Sequence, residues 1–196
     1  MILQIIGQVC WALGIHPGFL TSATGPIMFG LDGMNQAAYA AGQPIPNIIG
    51  MAFSYSMTIA VLYPAFALAV LIFSKSNQLK TVGKISIAPA FFGISEPLMF
   101  GVPVVMNPFM AIPWIISPMV NVLLGWLACS SGLVARYAGV TVFNFPMGVT
   151  GILNGSFTIA ILEVVVCIID ILIFMPFVRI QDKKYIDAEK AAETEQ

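Results

Sequence analysis

Apolar residues run through this chain in long blocks rather than in short alternating segments, a pattern that predicts membrane-crossing helices and not a barrel. The first block, residues 2–15, is about 14 residues long. That is too short for the roughly 30 Å hydrocarbon core, which takes about 20 residues, so it reads as a half-helix or the tail of a longer one. Residues 16–47 are mixed, with glycine and proline recurring among polar side chains from Pro17 to Pro46. They predict a re-entrant element followed by a loop. From Ile48 to Phe73 the apolar run is continuous for about 26 residues, interrupted only by Pro64, which is enough to span with tilt. Further spans are predicted over about 109–128 and 157–178, and a second Gly/Pro-broken stretch, residues 139–154, precedes the last of them.

The segment between the first two spans is the most informative. Residues 85–108, ISIAPAFFGISEPLMFGVPVVMNP, are apolar but broken at Pro89, Gly93, Pro97, Gly101, Pro103 and Pro108. Such breaks free backbone groups that membrane depth tolerates only where they are buried in protein or line a wet cavity. Charge parity makes a separate argument. Residues 74–84 read as a loop carrying Lys75, Lys80 and Lys84 without an acid, and the tail from Arg179 also begins basic, so the positive-inside rule puts both in the cytoplasm. An even number of crossings must then separate them. Two spans and one re-entrant hairpin over residues 85–106 satisfy that condition, and three spans do not.

Composition agrees with a membrane protein: the 196 residues are 59% hydrophobic and only 9% charged, against about 25% charged in a soluble domain. The expected fold is all-α, a polytopic membrane helical bundle with re-entrant hairpins. A net charge of −1 gives no nucleic-acid footprint. Cys10, Cys129 and Cys167 match neither metal-site nor redox spacing and read as small buried hydrophobes. No cofactor or metal is expected. The start lacks a basic n-region and a cleavage site, so no removable signal peptide is expected, and the chain reads as though it opens partway through a helix.

Glu96 is the lone carboxylate of the broken stretch. A charge in the hydrocarbon layer costs roughly 2.5–3.5 kcal/mol on insertion scales, so it faces a cavity, a partner or a substrate. Its bland role is to cap the broken helix or to pair with Arg136. His16, the single histidine, stands in GIHPG at a turn between two segments and is either structural or part of a site. Glu163 and Asp170 share roughly one face of the last span and are expected to point into the protein. Asn107, Asn121, Asn144 and Asn154 lie beside breaks or within spans, where they suit sugar hydroxyls and interhelical hydrogen bonds equally. Trp11, Trp114 and Trp126 read as sugar-stacking, belt or core residues.

Four stretches together resemble a known family: GIHPG at 14–18, SKSNQLKTVGK at 74–84, FFGISEPLMFGVPVVMNPFMAIPWIISPMVN at 91–121, and MPFVRIQDK at 175–183. They resemble the membrane-embedded IIC subunits of bacterial phosphotransferase-system sugar permeases of the lactose/cellobiose/chitobiose type, in their C-terminal half. The resemblance implies a membrane-embedded, substrate-binding half over residues 1–178 and a polar cytoplasmic tail over 179–196. It implies a multi-pass protein of the bacterial cell membrane with a cytoplasmic C-terminus. The implied activity is to bind, translocate and present a sugar, a β-linked disaccharide such as cellobiose, chitobiose or lactose, for phosphorylation of its 6-hydroxyl by a phosphocysteine on a IIB partner. Glu96 and His16 are then the catalytic pair and also contact substrate, with Ser95, Asn107 and Asn144 as further substrate contacts. The implied partners are the sugar, the IIB and IIA subunits, membrane lipid and, at full length, a second copy in a homodimer. The sequence departs from the family in Pro17 after the histidine, Ser95 before the glutamate, and FNFP at 143–146. Two rival readings stand beside it: a proton-coupled secondary sugar transporter, or a truncated permease fragment without transport activity.

Overall fold

A computed structural model describes residues 2–194. Met1 and the last two residues of the expected tail lie outside it. The described chain is helical, in the order α1 (Ile2–Ala12), α2 (Gly18–Ala40), α3 (Met51–Tyr55), a π-helical turn (Ser56–Ala60), α4 (Val61–Phe73), α5 (Asn77–Phe91), α6 (Glu96–Gly101), α7 (Pro108–Ser130), α8 (Val149–Leu153) and α9 (Phe157–Thr194). Among the described residues, three helical runs are long and apolar enough to cross a membrane: Met51–Phe73, Pro108–Ser130 and Phe157–Thr194. They fall where the apolar blocks predict spans.

The first of these runs is the axis of the bundle, 72% buried against 39% for each of the other two, which keep apolar faces turned outward. Lipid tails remove any hydrophobic drive between helices, so shape and hydrogen bonds must hold the bundle together. Near one end, Phe66 and Phe174 stack at 4.5 Å, and the buried Trp114 lies parallel to Tyr63 at 5.8 Å. Aromatic pairs of this kind contribute about 0.5–1.5 kcal/mol beyond their buried area. Toward the other end, Gly125 lets α7 close on the axis, because a Cβ there would meet Met57 Sδ at 2.7 Å.

Buried polar contacts do the rest. Glu163 is fully buried and accepts hydrogen bonds from Ser56 Oγ, Thr150 Oγ1 and the Gly148 amide, while Asp170 accepts from Asn121 Nδ2 at 2.7 Å. Both carboxylates point inward, as their shared helix face predicts. Asp32 of α2 accepts from the Ala52 amide and from Thr141 Oγ1, each at 2.8 Å, and so joins α2 to the start of the axis and to the loop after α7. Loss of water raises its carboxyl above the usual range, against the opposing effect of those donors.

The re-entrant path of residues 85–106 is visible at one end of the bundle. Asp182 of α9 accepts from the Lys75 and Ser76 amides just before α5, while Phe177 and Lys184 of the same helix lie on Phe109, at the start of α7. The chain therefore enters through α5 and returns through α6 to the side it left. Gly101 marks the close return: a Cβ there would stand 2.6 Å from Val82 of α5.

Two elements differ from the sequence expectation. Residues 74–84 are mostly not a loop, since α5 begins at Asn77, with Ser76 Oγ accepting from the Leu79 amide as its cap. Residues 16–47 are not broken throughout: 18–40 form one helix that contains Pro26, and only the turn at 13–17 and the segment 41–50 are irregular. Glycines there read as breaks, but the Asp32 and Asn35 contacts tie one continuous helix to the rest of the bundle. Asn35 Nδ2 donates to the carbonyls of Asn47 and Tyr137, at 3.0 and 3.1 Å.

Candidate functional site

Two hairpin turns and one polar stripe converge on a cavity. The first turn, residues 13–17, joins α1 to α2. Its His16 is exposed, lies edge-on to Trp11 with ring centroids 4.8 Å apart, and accepts the Gly18 amide at Nδ1, 3.1 Å away. Pro17 has no amide to cap α2, so the histidine serves its first free N–H. That bond places the imidazole proton on Nε2, leaving Nε2–H as a donor turned away from the helix.

The second turn, residues 92–95, joins α5 to α6. α5 ends at Phe91, two residues after Pro89, whose carbonyl accepts the amides of Phe92 and Ile94. Gly93 has φ +75°, and a Cβ there would lie 2.8 Å from the Tyr55 hydroxyl and 3.3 Å from Asn144 Oδ1. Backbone conformation and crowding both demand glycine at this point. Ser95 is buried at the N-cap, and Glu96 is exposed as the first residue of α6, with Pro97 behind it. A carboxylate in a helix's first turn also suits the helix dipole.

The polar stripe comes from the axis helix. Met51, Ser54, Tyr55, Thr58, Ile59 and Tyr63 share one helix face and line one wall of a cavity of about 250 Å³. The π-helical turn Ser56–Ala60 lies within this stripe, a distortion that recurs at functional sites. The other walls are Gln4, Gln8 and Trp11 of α1, Thr21 and Thr24 of α2, and Phe143. Tyr55 is the link to the hairpin, for its hydroxyl stands against Gly93 at the tip of the 92–95 turn. It is also the link to the loop, since its hydroxyl accepts the Asn144 amide at 2.7 Å and its ring meets Phe143 edge-on at 5.1 Å.

Of the residues singled out from sequence, Ser95 and Glu96 follow directly on the Gly93 tip that packs against Tyr55, Asn144 meets the same tyrosine, and His16 joins the cavity wall through Trp11. Asn107 stands apart. Its Oδ1 accepts the Phe109 and Met110 amides at 3.1 and 3.3 Å, so that oxygen caps α7. Arg136 donates to the carbonyls of Ile45 and Pro46. Trp114 is core, and Trp126 is exposed. Sequence reasoning missed Tyr55, Tyr63, Ser54 and Thr58, although hydroxyls at 54, 55, 58 and 63 keep helical spacing inside an otherwise apolar span.

Small polar groups and flat aromatic faces around a cavity are what a neutral polyol needs: hydrogen bonds for hydroxyls and a surface for the ring's C–H face. The family model described as "Phosphotransferase system, EIIC" matches residues 1–118. This chain belongs to the phosphotransferase-system EIIC family. It is 36% identical over 190 residues to the PTS system oligo-beta-mannoside-specific EIIC component of Bacillus subtilis (strain 168), an alignment covering 93% of this chain and 43% of that protein. It is 33% identical to the PTS system cellobiose-specific EIIC component of Geobacillus stearothermophilus, covering 99% of this chain and 45% of the relative. Among solved structures, the crystal structure of the transporter ChbC, the IIC component from the N,N'-diacetylchitobiose-specific phosphotransferase system, superposes with a TM-score of 0.92 at 36% identity, covering 96% of this chain and 45% of that one. The chain thus spans less than half the length of these EIIC relatives. EIIC membership and the apolar helices make it a membrane protein of helical transporter fold.

Proposed function

We propose that this chain is the sugar-holding part of a phosphotransferase-system permease, taking a β-linked disaccharide and presenting its 6-hydroxyl for phosphorylation. The observation that carries the reading is the position of Glu96 at the head of α6, in the hairpin whose tip at Gly93 packs against Tyr55 and Asn144, with Tyr55 also walling a cavity of aromatic and polar groups. The names of the EIIC relatives support the sugar class, since those described above are specific for oligo-β-mannoside, cellobiose and N,N'-diacetylchitobiose.

Glu96 accepts the proton of the 6-hydroxyl as the sugar oxygen attacks the phosphorus of a phosphocysteine carried by a IIB subunit. The S–P bond breaks and the cysteine thiolate leaves. Such a transfer depends on in-line positioning and electrostatics more than on covalent help. His16 assists by donating from Nε2 to a sugar oxygen, and Ser95 and Asn144 complete the polar contacts at the hairpin tip. The lysine-bearing start of α5 and the beginning of the α9 extension lie together at one end of the bundle. That end faces the cytoplasm of a bacterial cell, where IIB and IIA act.

Vesicles holding the complete permease, supplied with IIA, IIB and a phosphoryl donor, are expected to accumulate cellobiose as its phosphate and to stop when IIB is omitted. Accumulation of free sugar driven by a proton gradient would overturn the reading in favour of a secondary transporter with Glu96 as its proton site.

A further inference from the structure

A single α-helix of 38 residues is about 57 Å long, against a hydrocarbon core of roughly 30 Å, so α9 must project well beyond the bilayer. Its projecting part is polar, yet two of its carboxylates are committed to one task. Asp182 is buried and accepts from the Lys75 amide at 2.7 Å, the Ser76 amide at 3.0 Å and Ser76 Oγ at 2.6 Å. About two turns further on, Glu189 accepts from the Asn77 and Gln78 amides at 3.3 and 3.0 Å. An isolated helix leaves its first amides unsatisfied. Here they are filled by α9, more than a hundred residues away, and the charges also suit the positive end of α5.

α5 is the helix that carries the Glu96 hairpin. With 15 residues it is a rod of about 22 Å between this anchor and the tip. A tilt of about 3° at the anchor moves the tip by roughly 1 Å. A displacement of that size at a reacting group costs on the order of 10²-fold in rate.

We propose that Asp182, assisted by Glu189, is a positioning residue for sugar phosphorylation: the α9 extension fixes the foot of α5 and thereby places Glu96 against the sugar hydroxyl. The inference rests on the phosphotransfer reading above. It gives the projecting helix a role in the reaction itself, and it puts the anchor on the face of the bundle where the phosphoryl donor must approach.

The test uses the purified complete permease with IIA, IIB and radiolabelled cellobiose. Asp182→Asn keeps the size of the side chain but replaces one accepting oxygen by a donor that opposes the facing amides. Turnover is expected to fall at least about tenfold, while equilibrium sugar binding stays within about threefold and the melting temperature within a few degrees. Turnover within twofold of the parent overturns the proposal, as does a parallel loss of turnover, binding and melting temperature. Should Asp182→Asn fail to fold, Ser76→Ala removes only the hydroxyl donor. Its turnover is expected to drop about threefold with binding unchanged, and unchanged turnover there also overturns the proposal. The two readings fail separately: a parent that forms no sugar phosphate with IIA and IIB speaks against phosphotransfer, and an active parent matched by Asp182→Asn speaks against the positioning role alone.

Discussion

Glu96→Gln in the complete permease is expected to lower cellobiose phosphorylation by at least about 10²-fold while sugar binding stays within a few-fold. The amide keeps the volume and one accepting oxygen at the head of α6 but no longer takes a proton, and loss of a general base costs roughly 10²–10⁴-fold. Binding should survive because the cavity is walled mainly by other elements, with Trp11, Tyr55 and Tyr63 supplying ring faces and hydroxyls. The readout is initial rates of sugar-phosphate formation beside equilibrium binding in the same preparation. Rates within a few-fold of the parent would remove Glu96 as the proton acceptor. A loss of both rate and binding would make it a sugar ligand instead.

The second large effect concerns a residue away from the cavity. Glu163→Ala is expected to destabilise the permease by about 3 kcal/mol or more, because it leaves three donors facing a buried site without an acceptor, each costing roughly 1–3 kcal/mol. The donors are Ser56 Oγ in the π-helical turn, Thr150 Oγ1 in α8 and the Gly148 amide. Ser56 also pairs with the Tyr137 hydroxyl at 2.8 Å, so the loss reaches the loop that follows α7. Glu163→Gln, which retains an accepting oxygen, should lose less. Thermal unfolding in detergent, followed by intrinsic fluorescence or by monodispersity after heating, measures both. A melting temperature for Glu163→Ala equal to that of the parent would show that water reaches these donors and that the network does not hold the axis helix to the last span.

Much of the architecture could be read from the chain because hydrocarbon imposes a simple length rule. The runs at 51–73, 108–130 and 157–178 are long and apolar, and among the described residues no other helix is both. The hairpin at 85–106 followed from counting crossings between two basic segments, and that count does not depend on any local propensity. What could not be read depended on contacts between distant residues. Residues 74–84 resemble a loop in composition, and they begin a helix because Glu189 takes its first two amides while Asp182 holds the two just before them. Residues 18–40 contain enough glycine and a proline to look broken, yet Asp32 and Asn35 tie them down as one helix.

The site was half legible. Glu96 and His16 stood out because an ionisable group beside a Gly/Pro break is conspicuous in an apolar sequence. Tyr55 and Tyr63 did not, because each sits in a run whose mean hydropathy hides the spacing of its hydroxyls. Asn107, just before Pro108, uses its Oδ1 as a helix cap in the structure, a role that sequence alone left level with sugar contact. A search for polar residues at 3–4 spacing within predicted spans would have found the stripe. The role of the α9 extension had no such signal, since its carboxylates are ordinary in composition and meaningful only against α5.

The most direct measurement is a structure of the complete permease with cellobiose or another β-linked disaccharide bound. The sugar is expected in the cavity walled by Trp11, Tyr55, Tyr63 and Phe143, with the 6-hydroxyl of one ring hydrogen-bonded to the Glu96 carboxylate. Sugar bound elsewhere, or in that cavity with no hydroxyl in reach of Glu96, would contradict that placement.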